Sequence, residues 1–144
     1  MSGTVILVLM ANPPAFYGRT ILISLADGKN MNRLFPGDAN GTLSDRIVHL
    51  LSNDIIPRAD AVIDIHCGDA NEDLVPWTGY YANIGSDELI DKSKRLATVF
   101  GVTRIVQFPF KLENGTKATY TGPTALLNGI PAFDVEVGRL GKVE

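Results

Sequence analysis

The chain is poor in the residues that would commit it to several common classes. Its single cysteine, Cys67, excludes an internal disulfide and fits a reducing, cytoplasmic compartment. Basic residues form no run, and the net charge is -3, so neither nucleic acid nor an anionic membrane is expected as a partner. No apolar stretch approaches the roughly 20 residues needed to cross a bilayer. The apolar run at residues 4–10 follows no basic segment and leads into no small-residue cleavage site, so a signal peptide is not expected. What is present suits one globular domain with a real core: 144 residues, 45% hydrophobic and 20% charged.

Apolar strands and amphipathic helices alternate along the chain, which predicts an α/β fold with a mixed, mostly parallel sheet and flanking helices. Residues 4–10 are rich in branched side chains and read as a central strand buried on both faces. Residues 12–42 carry the turn signals Pro13-Pro14, Asp27-Gly28, Pro36-Gly37 and Asn40-Gly41, with only a weak strand pattern at 20–24. So long a loop in a compact domain points to function. A helix is expected over 44–56, with a Thr or Ser cap, Pro57 as its stop and a buried stripe of Ile47, Leu50, Leu51 and Ile55. Beyond it, strands are expected at 60–66, 79–84, 103–108 and 132–137, and helices at 86–100 and 124–128. Gly101 should stop the first of these helices, and a turn should surround Glu113-Asn114-Gly115.

Three constellations could carry chemistry. Period-two alternation places Asp64 and His66 on one side of their strand, at the end where α/β proteins bind ligands. An imidazole with a carboxylate beside it suits a metal ligand and its support; a histidine that merely caps the strand is the plainer alternative. Asn32 and Arg33 stand together in a Gly-flanked loop, and a guanidinium fork can hold a carboxylate through two parallel bonds, or brace its own loop. Glu136 closes the last strand between Val135 and Val137, with Asp134 on the same face. It either faces a cleft as a general base or faces solvent at an edge. Other candidates are weaker. Cys67 points away from its neighbour His66, His49 falls on the polar face of its helix, and Asp38-Ala39-Asn40-Gly41-Thr42 has too few acidic ligands for calcium.

Four segments in order resemble the succinylglutamate desuccinylase and aspartoacylase family of the zinc carboxypeptidase-like superfamily: Asn12-Pro13; the stretch from Asp27-Gly28 through Asn32-Arg33 to Pro36-Gly37; Ala59 to His66; and Pro131 to Gly138. The resemblance covers nearly the whole chain. It implies zinc-dependent hydrolysis of the amide bond of an N-acyl amino acid or a related small, carboxylate-bearing amide. It further implies that His66 is a ligand of a single zinc ion with Asp64 supporting it. Asn32 and Arg33 would hold the substrate carboxylate, and Arg19 would be a further substrate or oxyanion arginine. Glu136 would activate the metal-bound water and then protonate the leaving amine.

The chain departs from the family at one point. A catalytic zinc of this kind takes two histidines and a glutamate, of which the family draws a His and the Glu from an upstream HxxE motif. Neither His49 nor His66 has Glu three residues on; Ser52 and Asp69 stand there. The expectation is therefore the central part of a longer catalytic domain, inactive alone, with the remaining zinc ligands upstream. The alternative is a metal-free module that binds a small carboxylate through the Arg33 loop. The acyl group, the amine and the oligomeric state are not written in these residues.

Overall fold

The computed structural model describes residues 3–68, 71–110 and 118–140. Four strands form one sheet in the order β1-β4-β2-β3: β1 is Val62–His66, β2 Trp77–Tyr81, β3 Ile105–Phe108 and β4 Ala132–Glu136. β1 runs parallel to β4 and β2 parallel to β3, while β2 and β4 pair antiparallel. This is the mixed, mostly parallel sheet with flanking helices that the residue pattern predicts.

Alternation along β4 sorts its side chains between two layers. Phe133 and Val135 are buried with Ala97 of α3, Asp87–Val99. α3 starts where the Ser86 hydroxyl accepts the Leu89 N–H and where Asp87 and Glu88 meet the positive end of the helix dipole. Its buried residues Leu89, Ser93 and Ala97 recur every fourth position, and Gly101 follows the helix at φ +97°. The opposite face carries the larger core, in which Met31, Phe35, Val48, Ile56, Tyr81, Ile84, Leu126 and Ile130 gather. Here α4, Thr121–Leu127, lies against β1, β2 and β4, and α2, Leu43–Leu50, adds its inner face.

Three expectations fail. Residues 4–10 form no strand; Leu7 and Leu9 are 70% and 87% exposed, and residues 6–9 lie beside β1 without pairing to it. A buried strand needs neighbours on both sides, and among the described residues β1 keeps an open edge, with Ile63 and Ile65 exposed. Residues 20–24 form no strand either, and Leu22 sits at φ +63°. The loop expected over 12–42 is there, interrupted near its start by a short helix, α1, Pro13–Gly18. Asn12 Oδ1 accepts the Ala15 N–H at 3.2 Å, and the two prolines occupy the first helical positions, where no N–H is needed.

The third failure is the stripe on the helix expected over 44–56. The helix is there, but past Leu50 it widens into a π-type turn, Leu51–Ile55, and ends in a short 3-10 turn, Ile56–Arg58. Ser44, Val48, Ser52 and Ile56 are its buried positions, while Ile47, Leu51 and Ile55 are half-buried and Leu50 is 51% exposed. Two small serines on the inner face let the helix approach its neighbours closely, and hydrophobicity alone misplaces that face. Asp69 and the turn at Glu113-Asn114-Gly115 lie outside the described residues.

Candidate active site

The pairing of β1 with β4 builds the centre of the site. Asp64 stands opposite Asp134 and His66 opposite Glu136, so four chemistry-bearing side chains share one face of two adjacent strands. His66 Nε2 lies 3.1 Å from Asp64 Oδ2. That hydrogen bond pushes the imidazole up to about 9 against the opposing effect of burial, and the charges of Asp64, Glu136 and Asp134 act in the same direction as the bond. Burial raises Asp134 to about 7, opposed by a hydrogen bond from Tyr81 and aided by the negative charge of Asp64. Three carboxylates and one imidazole at strand ends make a strongly polar, partly desolvated cluster. Glu136 Oε2 is itself buried.

Aromatic side chains wall the cluster. Tyr81 donates its hydroxyl to Asp134 Oδ2 at 2.5 Å, and burial together with that carboxylate raises the phenol well above its ordinary value. Trp77 stands in register with Glu136, and its ring meets Phe108 edge-on at 5.5 Å. The two rings close over Gly79, where an added Cβ would come within 2.3 Å of Phe108 and 2.8 Å of Trp77. Gly122 in α4 serves the same end: a Cβ there would lie 2.7 Å from the Tyr81 ring and 3.0 Å from Asp134 Oδ1. The small residue lets α4 press directly onto the carboxylate-bearing strand.

Asn32 and Arg33 reach this region from the long loop. They lie in a short 3-10 turn, Met31–Arg33, started by Asn30, whose Oδ1 accepts the Asn32 N–H at 3.0 Å. Thr121 N, at the start of α4, donates to Asn32 Oδ1 at 3.4 Å. The Arg33 guanidinium lies 4.5 Å above the Tyr120 ring, and its Nη1 donates to Asn32 O at 2.6 Å. The loop is anchored from behind by Asp27. Its two carboxylate oxygens accept from Lys29 N, Thr42 Oγ1, Ser44 N and Ser44 Oγ. Burial opposes the ionised form, but those hydrogen bonds outweigh it and bring Asp27 down to about 2. Arg19 is not brought in: it ends α1 in a left-handed conformation at φ 51°, exposed, and no hydrogen bond or ion pair among the described residues links its side chain to the cluster.

The match of these residues to a zinc site is incomplete. Among the described residues no group of three or more His, Cys, Asp or Glu side chains is placed to hold a metal. His66 is the only imidazole in the cluster. His49 lies on α2 and is bonded to Asn53, whose Nδ2 is 3.1 Å from its Nδ1. The candidate calcium loop is an ordinary turn in which Asp38 Oδ1 accepts Asn40 N at 2.9 Å.

The sequence matches the succinylglutamate desuccinylase/aspartoacylase catalytic domain over residues 1–144. The chain belongs to this family. It is 38% identical over 78 residues to the N-alpha-acetyl-L-2,4-diaminobutyric acid deacetylase of Halomonas elongata, a match covering 54% of this chain and 22% of that protein. Its structure superposes on the succinylglutamate desuccinylase/aspartoacylase of Rhodobacter sphaeroides with a TM-score of 0.79 at 29% identity, covering 93% of this chain and 37% of that one. The product-bound ectoine utilization protein EutE (DoeB) of Ruegeria pomeroyi superposes equally well, with a TM-score of 0.79 at 25% identity, covering 92% of this chain and 39% of that one. The chain thus spans well under half the length of these relatives.

Within the desuccinylase/aspartoacylase frame, the structure brings together His66, Asp64 and Glu136 and leads the Asn32-Arg33 turn to the same side through α4. Tyr81, Tyr120 and Thr121 complete that arrangement, and nothing in their local sequence marks them. Tyr81 ends an unremarkable strand, and Tyr120 precedes a helix whose Gly-Pro start reads as a turn. Among the described residues no helix is long and apolar enough to cross a membrane.

Proposed function

We propose that the whole protein hydrolyses the amide bond of a small N-acyl amino acid or related carboxylate-bearing amide. One observation carries this reading most directly: the β1–β4 register sets His66 and Glu136 side by side on one face, next to the strand position of Asp64. Zinc enters as the cofactor of the whole protein, with His66 as one ligand and Asp64 orienting its ring. The described residues do not make up a full ligand set. Glu136 takes the proton of the attacking water and returns it to the leaving amine, as a carboxylate at the edge of a desolvated cluster is suited to do. Arg33, its fork uncommitted to any acidic side chain among the described residues, holds the substrate carboxylate, with the Asn32 amide beside it.

The test uses the whole protein with zinc and a panel of N-acetyl and N-succinyl amino acids. Glu136→Gln should lower kcat by at least about a hundredfold, the scale of a lost general base. Arg33→Lys keeps the charge but loses the paired geometry. It should lower kcat/KM for the acid by well over about tenfold, chiefly by raising KM, while barely moving the melting temperature. Near-normal activity of Glu136→Gln on every amide tried would sink the reading.

A further inference from the structure

We propose that Tyr120 is a positioning residue for Arg33, and through it a determinant of selectivity for amides that carry a carboxylate. This rests on the reading of Arg33 given above and adds the element that aims it. The guanidinium carbon of Arg33 lies over the Tyr120 ring, 4.5 Å from its centroid, a distance at which the cation engages the π face. Its Nη1 donates to Asn32 O at 2.6 Å, which ties the fork to its own turn. No acidic side chain among the described residues forms an ion pair with Arg33.

The ring that carries Arg33 is itself tied to the catalytic strand. Phe110 meets Tyr120 edge-on at 5.3 Å, Tyr81 meets Phe110 edge-on at 5.5 Å, and the Tyr81 hydroxyl ends on Asp134, two residues before Glu136. A second tie runs beside it, from Thr121 N to Asn32 Oδ1 at 3.4 Å. Arg33 and Glu136 are 103 positions apart in sequence, yet this contiguous chain of side chains sets where one stands relative to the other. An arginine on a long loop would otherwise sample many rotamers, and each would need reordering before a carboxylate could be gripped.

The experiment compares two substrates on the whole protein with its metal: the preferred N-acyl amino acid, and the same amide with hydrogen in place of the carboxylate. Tyr120→Leu should raise KM for the acid by about tenfold, in the range of a lost cation–π contact, with kcat changed less than about twofold. The slow turnover of the uncharged amide should be unchanged, and Tyr120→Phe, which keeps the aromatic face, should recover most of the loss. Should the Leu variant fail to fold, Tyr120→Met fills similar space and carries the same expectation. An equal loss on both substrates, or no recovery with Phe, would overturn the proposal. Arg33→Lys separates the two levels. If it leaves the KM of the acid unchanged, the carboxylate reading of Arg33 fails and the role of Tyr120 falls with it. If it raises KM while Tyr120→Leu does not, only the positioning role fails.

Discussion

Residues 4–23 and residues 27–45 are both long stretches with little regular structure, and they are ordered in opposite ways. The first is the more apolar, yet Val5, Leu7, Leu9, Phe16, Tyr17 and Leu22 are all exposed. The second is polar and carries the Asn32-Arg33 turn, yet it is held at every few residues: Asp27 binds Lys29, Thr42 and Ser44, and Asp45 binds Lys29 at 2.5 Å and both N and Oγ1 of Thr42. Hydrophobicity orders a segment only when another apolar surface is there to meet it. In the second segment Met31 and Phe35 find that surface in the larger core, and two ionised carboxylates, each collecting several N–H and O–H donors, hold the rest of the loop. The segment that presents a candidate binding residue is the one held both by core contacts and by its carboxylates.

The sharpest way to break this contrast is at Gly37, in the polar loop. It sits at φ +81°, and an added Cβ would meet His49 N at 2.3 Å and Asp45 O at 2.5 Å, both of them backbone atoms with no freedom to step aside. Gly37→Ala should cost about 3–5 kcal/mol in urea unfolding. Gly28, at φ +70° with open space around it, should cost only about 1 kcal/mol when replaced by Ala, because backbone conformation alone is then at stake. Similar losses at the two sites would mean the loop is not clamped against α2.

A smaller effect is expected at Asp27. Asp27→Ala should lose about 2 kcal/mol at pH 7, the modest end for a partly exposed carboxylate that caps a helix start. Its folded pKa lies at about 2, below the ordinary aspartate value of 3.8, so its contribution is complete above 3.8 and fades as pH falls through about 2. The difference between wild type and Asp27→Ala should therefore narrow as pH is lowered from 4 toward 2. A gap that stays constant through this window would remove the charge from the explanation. The smallest effect belongs to the apolar segment: Leu9→Ser in the 144-residue chain should change stability by less than about 0.5 kcal/mol. A loss above about 1 kcal/mol would show that residues 4–10 are packed after all.

How much was legible in sequence follows the physics of each element. β1, β3, β4 and α3 were readable because each has a strong local period and clear stops, such as Ser86 before α3 and Gly101 after it. The face of α2 was not, because Ser44 and Ser52 are buried where the hydropathy pattern favours Leu50. At the site, the shared face of Asp64 and His66 follows from alternation, and so does that of Asp134 and Glu136. That the two pairs face each other does not, since nothing in either strand states that β4, rather than β2, is the neighbour of β1.

The sequence by itself determined the alternating elements, the polar composition of the Arg33 loop and the family motifs, because these depend on residue type and spacing along one chain. Only the tertiary structure decided that His66 and Glu136 stand opposite one another, that Arg33 rests on Tyr120, and that residues 4–10 stay exposed. Each of those depends on which surfaces meet, and burial, register and stacking are properties of pairs of segments rather than of either one.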